Sequence, residues 1–249
     1  MKLYGAILGD LAGQPYEFNY KGDYSEFDIH DKRSHFTDDT IMTLATAKLM
    51  IDLPKEKWIS ENFEEYYKEF GNRYNGDFYG SKFKEWLKTP KGTINDSFGN
   101  GCIMRLSPLI YIPNSYYGSI KLFIESSTNS HFHPKVIRNL FRYNYYYNNL
   151  HKYIDINTDN IFNFKFKKFT SDVDDTMDFV AKVINYSKTT HSAIETSIKS
   201  GGDTDTHASI LGELYNYTLC DINEKDIKYV DSKLDNYLLS ILKEFNEKF

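Results

Sequence analysis

Cysteine is almost missing: Cys102 and Cys220 are the only two in a chain of 249 residues. A disulfide framework is excluded, and a reduced interior is the default. No apolar run approaches the roughly 20 residues needed to span a bilayer. The N-terminal MKLYGAILGD stops at Asp10, too early for a secretory h-region and cleavage site. Basic excess is lacking as well: 30 Lys and Arg face 35 Asp and Glu, a formal net charge of −5. That balance points away from nucleic acid. No Pro/Gly/Ser linker, fixed-period repeat or phosphate-binding GxxxxGK[ST] loop is present. These absences predict an intracellular, cytoplasmic, soluble protein with no membrane or nucleic-acid partner. A single domain over residues 1–249 and a monomer are expected.

Aromatic residues make up 16 % of the chain, with 21 Tyr and 18 Phe, which reads as compositional bias. The apolar spacing is mostly helical. Ile41, Leu44, Ala45, Leu49 and Leu53 share one face, with Asp38 or Asp39 as the expected N-cap. A helix over 56–70 would turn Trp58, Ile59, Phe63, Tyr66 and Phe70 inward. Further helices are predicted over 81–88, 117–127, 134–150, 174–186, 190–199, 206–219 and 229–248, with a loop over 89–102. FNFKFKKF (162–169) alternates at period two, as a strand would. A loop or exposed helix end with biased composition is the favoured account. The tract 142–168 is low in complexity and reads as a surface excursion. The fold class expected is all-α.

Two acidic clusters stand out against this background. Thr37, Asp38 and Asp39 precede one helix, and Asp203, Asp205 and Thr206 open another. Each alone reads as a helix cap. Together they offer more carboxylates than capping requires, and unneutralised carboxylates repel. Oxygen-only donors suit Mg²⁺, Mn²⁺ or Ca²⁺, and the lack of Cys disfavours zinc. EF-hand registers starting at Asp203 or Asp172 fail, because Gly at position six and Glu at position twelve are missing. Gly201 and Gly202 permit a tight path that could aim Asp203 and Asp205 at one point. DVDDT (172–176) resembles the first cluster, but a helix start at Asp174 or Asp175 accounts for it better.

Five segments in order resemble the ADP-ribosylglycohydrolase family: GAILGDLAGQPYEF (5–18), FTDDTIM (36–42), SFGNGCIMRLSPL (97–109), SHFHP (130–134) and SGGDTDTHASILG (200–212). The resemblance implies a single compact orthogonal helical domain with a central binuclear metal site. Two Mg²⁺, or Mn²⁺, are implied as cofactors. Thr37, Asp38 and Asp39 would hold one ion; Asp203, Asp205 and Thr206 would hold the other, with Asp205 bridging. Glu17, Asp38 and Asp39 are the implied catalytic residues. Ser97, Phe98, Gly99, Asn100, Gly101, Met104 and His131 are implied to bind substrate, the 97–101 loop wrapping a diphosphate. The implied reaction is hydrolysis of the glycosidic bond between ADP-ribose and a modified protein side chain or small molecule. An ADP-ribosylated protein or ADP-ribose conjugate is thus the expected partner.

Each assignment has a plainer alternative. Glu17 alone reads as a surface carboxylate, His131 as a structural histidine, and Asn100 as a turn residue. Met104 and Arg105 read as packing and an ion pair beneath the loop. Ser130 replaces a more usual Thr. Glu213, Tyr215 and Asn216 interrupt a helix otherwise expected to be rich in Gly and Ala. That departure predicts looser packing of the helix or a differently shaped adenosine end. Two other functions compete: an ADP-ribose-binding, crystallin-like member with weak or no turnover, and a metal-dependent phosphohydrolase.

Overall fold

A computed structural model describes residues 1–18, 27–154 and 162–249. Their backbone is helical without strands; two isolated bridges join Asp96 to His131 and Gly99 to Asp172. Residues 155–161 of the low-complexity tract lie outside the described residues. The helices are α1 (Tyr4–Gly13), α2 (Asp38–Asp52), α3 (Ser60–Arg73), α4 (Ser81–Leu87), α5 (Gly101–Met104), α6 (Tyr116–Ser127) and α7 (Pro134–Asn149). They continue as α8 (His151–Ile154), α9 (Val173–Ile184), α10 (Thr190–Ser200), α11 (Thr204–Leu219), α12 (Glu224–Lys233) and α13 (Asn236–Lys248). No helix is long and apolar enough to cross a membrane among the described residues.

The centre of the fold is a helix pair at very close range. Every residue of α1 is buried, and Gly5, Gly9 and Gly13 fall on one face at four-residue steps. A Cβ added at Gly5, Gly9 or Gly13 would lie 2.3, 2.1 or 2.4 Å from the carbonyl oxygens of Gly212, Ala208 or Thr204 on α11. The absence of side chains lets the two backbones touch. Helix α11 is thus packed tightly, contrary to the looser packing anticipated from its polar residues.

Those polar residues close the end of the pair. Leu3 precedes α1 in a left-handed conformation, and no side-chain bond from Leu3 caps the helix. The buried Glu213 carboxylate supplies the cap from α11. It accepts from Leu3 N–H and Ala6 N–H, each at 2.9 Å, and from the Tyr111 hydroxyl. Asn216 donates to the Met1 carbonyl at 2.8 Å, and Tyr215 donates to the Ser187 carbonyl at 2.8 Å. Glu213→Gln turns one acceptor into a donor facing donors. It is expected to cost about 2 kcal/mol, or about 4–8 °C in Tm for a chain of this size. Thermal unfolding followed by circular dichroism checks this; an unchanged Tm would remove Glu213 from the account.

Several boundaries differ from the sequence expectation. Thr37, rather than Asp38 or Asp39, is the N-cap of α2, and its hydroxyl accepts from Asp39 N–H. Helix α3 starts at Ser60 because Pro54 leads into a short 3₁₀ turn over Lys55–Lys57. Its buried face is therefore Phe63, Tyr67 and Phe70, whereas Ile59 is exposed and Tyr66 only half-buried. The expected helix over 229–248 is two helices. Leu234 is extended, and Asp235 caps α13 by accepting from Tyr237 and Leu238 N–H. Asp172 caps α9 and places Asp174 and Asp175 in its first turn, a structural use of DVDDT. FNFKFKKF pairs with no strand. Its alternation is nevertheless real: Phe162, Phe164 and Phe166 turn inward and the residues between them outward. All three rings meet Phe179 of α9.

Candidate active site

Three motifs converge where α1, α2 and α11 meet. Asp10, buried on α1, receives four hydrogen bonds from the start of α2. Thr37 N–H and Oγ1 donate at 3.0 and 2.8 Å, and Thr40 donates through N–H at 3.1 Å and through its hydroxyl. Burial still raises the Asp10 pKa against these four donors. Asp10 is absent from the residues singled out in the sequence, although it closes the GAILGD run. An acidic residue ending a helix lined with glycine was the available signal.

Asp38 is half-buried at the cleft, and Asp39 is buried behind it. Asp39 Oδ2 accepts from Thr206 Oγ1 at 2.9 Å, which ties α2 to α11. Asp39 Oδ1 is buried without a hydrogen-bond partner among the described residues. Glu17, Asp203 and Asp205 each bring a carboxylate oxygen within 4.8 Å of the others. Asp205 is the hub. It lies beside Glu17 and Asp203 in that group, and its charge acts on Glu17, Asp38 and Asp39. Burial first, then the Asp205 charge, pushes Glu17 up to about 9. Burial raises Asp203 to about 6, and burial with neighbouring charge holds Asp38, Asp39 and Asp205 well above the usual carboxylate range. A cation is the ordinary remedy for such crowding.

The residues fit a hard divalent cation on three grounds. The donors are all oxygen. Asp39 has an orphaned buried acceptor, an expensive feature if nothing satisfies it. The Thr37 and Thr206 hydroxyls spend their protons on Asp10 and Asp39, leaving oxygen lone pairs for another partner.

These carboxylates floor one end of a cleft of about 400 Å³, within the usual size range of small-molecule sites. Ser97, Phe98, Gly99, Asn100, Gly101, Met104 and His131 all line it, as do Glu17, Asp38, Asp203, Asp205 and Thr206. Thr37 and Asp39 do not, and lie beneath. Asn100 joins loop to floor: its Nδ2 donates to Asp203 at 2.7 Å and Thr176 at 3.1 Å. Two of the loop's N–H groups are already engaged. Gly99 N–H reaches Ser97 Oγ at 3.3 Å, and Asn100 N–H reaches the Ser171 carbonyl at 2.8 Å.

A chain of polar contacts orients His131. Arg105 is fully buried and pairs with no carboxylate among the described residues, where other contacts take the place of the ion pair expected beneath the loop. Its Nη2 donates to the Ser126 carbonyl at 2.8 Å and to Ser130 Oγ at 2.7 Å. Its guanidinium lies 4.0 Å from the Tyr67 ring centre. Ser130 Oγ, which accepts from Arg105, lies 2.8 Å from His131 Nδ1, and its own proton has no acceptor among the described residues other than that nitrogen. Satisfying that hydroxyl leaves the ring proton on Nε2, a tautomer inferred from the hydrogen-bond pattern. Burial depresses the His131 pKa, so the ring is neutral. Nε2 would be 3.3 Å from a Cβ at Gly101, so the glycine keeps this donor open to the loop.

Comparison with known proteins follows the same lines. The sequence model of the ADP-ribosylglycohydrolase family matches residues 2–141, and the chain belongs to that family. Among solved structures, one titled "ADP-ribosylglycohydrolase-related protein complex" is similar over 98 % of this chain and 95 % of its own. The TM-score is 0.75 at 13 % sequence identity, a likeness of fold. No curated protein matches.

Proposed function

We propose that the protein is a metal-dependent hydrolase that cleaves the glycosidic bond between ADP-ribose and a modified side chain or small molecule. The observation that carries this reading is the grouping of Glu17, Asp38, Asp203 and Asp205 at the floor of a cleft whose wall is the glycine loop and His131. Thr37, Asp38 and Asp39 would hold one Mg²⁺ or Mn²⁺, and Asp203, Asp205 and Thr206 a second. When bound, the ions supply positive charge that orients ribose hydroxyls and lowers the pKa of water.

The protein's own groups account for the remaining steps. The open backbone at Gly99 and Gly101 admits phosphate oxygens closely, and His131 Nε2–H offers them a donor. The exposed Phe98 ring gives a planar face at the cleft rim. Glu17 is half-buried beside Asp205 and binds its proton tightly. It can therefore pass a proton to a departing oxygen or nitrogen and recover one from water. Burial of Asp203 and Asp205 excludes bulk water from the floor.

An ADP-ribosylated peptide panel with arginine, serine and acetate-ester linkages, incubated with Mg²⁺, tests the reading. Free ADP-ribose is expected from at least one linkage, with loss of release in EDTA. Tight ADP-ribose binding without turnover on any linkage would favour the binding-module alternative. Orthophosphate or AMP in place of ADP-ribose would favour a phosphohydrolase.

A further inference from the structure

The strip over residues 162–172 belongs to none of the segments that carry the family resemblance, yet it touches the glycine loop, the Glu17 segment and the turn that carries Asp203. Its Ser171 carbonyl accepts from Asn100 N–H at 2.8 Å, and Phe169 packs on Phe18, next to Glu17, with ring centres 4.7 Å apart. Its deepest contact is with the turn between α10 and α11. Phe166 N–H donates to the Ser200 carbonyl at 2.9 Å. The Phe166 ring stacks on His207 at 5.0 Å and 17°, and a Cβ at Gly202 would meet that ring at 2.8 Å.

We propose that Phe166 is a positioning residue for Asp203 and Asp205, and that it sets the affinity of that carboxylate pair for a divalent cation. The inference rests on the metal reading of the cluster. The turn it contacts is intrinsically loose. Gly201 and Gly202 both adopt left-handed φ, 71° and 83°, and glycine has the largest backbone freedom to lose. No side-chain hydrogen bond from Asp203 caps α11. Phe166 supplies the missing restraint by filling the space over Gly202 and gripping the first turn of α11 through His207.

His207 fits this role. It is fully buried, and neither ring nitrogen has a hydrogen-bond partner among the described residues. It serves as a flat neutral surface between Phe166 and Phe179, whose ring centre is 4.8 Å away. If the turn samples other conformations, only the fraction with both carboxylates aimed at one point binds the ion. The apparent dissociation constant then rises by the inverse of that fraction.

The test is titration calorimetry of the EDTA-dialysed full chain with Mn²⁺, well below its Tm. Phe166→Ala is expected to weaken Mn²⁺ binding about 10-fold or more, the scale at which groups behind metal ligands act. Phe166→Leu should recover most of the affinity. Phe164→Ala is the control. Phe164 packs on the same Phe179 at 5.6 Å and edge-on against Phe166 at 5.0 Å, while the ring over Gly202 is that of Phe166, so its removal should lower Tm while weakening Mn²⁺ binding far less than Phe166→Ala does. A folded Phe166→Ala protein with parental affinity overturns the proposal. If Phe166→Ala does not fold, equal weakening in Phe164→Ala and Phe166→Leu overturns it. A parent chain that binds no Mn²⁺ instead refutes the metal reading itself.

Discussion

Asp205→Asn is expected to reduce ADP-ribose release on the order of 10²–10³-fold while raising the Tm of the cation-free protein. The two effects have one cause. Asp205 is buried with a carboxylate oxygen within 4.8 Å of those of Glu17 and Asp203, and its charge reaches Asp38 and Asp39. Without a cation, folding forces this carboxyl to bind a proton that the unfolded chain would release at neutral pH. Each unit of upward shift costs folding about 1.4 kcal/mol once pH exceeds the unfolded value. Asn has nearly the same shape and carries no such cost. A gain of at least about 2–4 °C follows for a chain of this size. With Mg²⁺ or Mn²⁺ present the ranking should invert, since Asn cannot offer the anionic oxygen that a shared ligand provides. Thermal melts of both proteins in EDTA and in Mg²⁺, alongside the turnover assay, check this. A lower Tm in EDTA would make Asp205 an ordinary structural carboxylate.

Motifs were more legible in the sequence than the elements that hold them. The short helix at 81 and the helices over 134–150 and 190–199 followed from apolar spacing, because a half-buried helix writes its period into the chain. Helix α1 did not. It is buried on all sides and so shows no polar face, and its signal is a glycine every fourth residue for backbone contact. The break at Leu234–Asp235 was hidden because apolar residues continue on both sides. The cleft-lining role of the 97–101 loop and His131 was reachable only through resemblance, since Gly, Asn and His in a loop are ambiguous. Asp10 and Phe166 act through other residues, and the ones they act on, Thr37 and Thr40 for Asp10 and Ser200, Gly202 and His207 for Phe166, lie 27 or more positions away. Nothing local marks such a group. The period-two pattern around Phe166 was visible, but alternation reports one dry face and not what covers it.

Divalent cations should stabilise the protein strongly, and increasingly so as pH rises. In EDTA the cluster binds more protons folded than unfolded, because Glu17 is pushed up to about 9 and Asp203 to about 6. Stability contributed by a group with a raised carboxyl pKa is present at low pH. It falls as pH rises from the unfolded value, near 4, toward the folded one. The cation-free protein should therefore lose Tm between pH 5 and pH 8. A cation competes with those same protons, so its binding tightens over that interval. At a thousandfold excess over its dissociation constant a ligand contributes about 4 kcal/mol, or about 8–16 °C here. The Tm difference between Mn²⁺ and EDTA should accordingly approach this size at pH 8 and shrink toward zero near pH 5. Asp39 Oδ1, buried and unpartnered, makes the gain specific to a small hard cation: NaCl at matched ionic strength should not reproduce it, because screening acts weakly on buried charge. A Tm difference independent of pH, or matched by NaCl, would mean that the carboxylates of the floor do not bind the ion together.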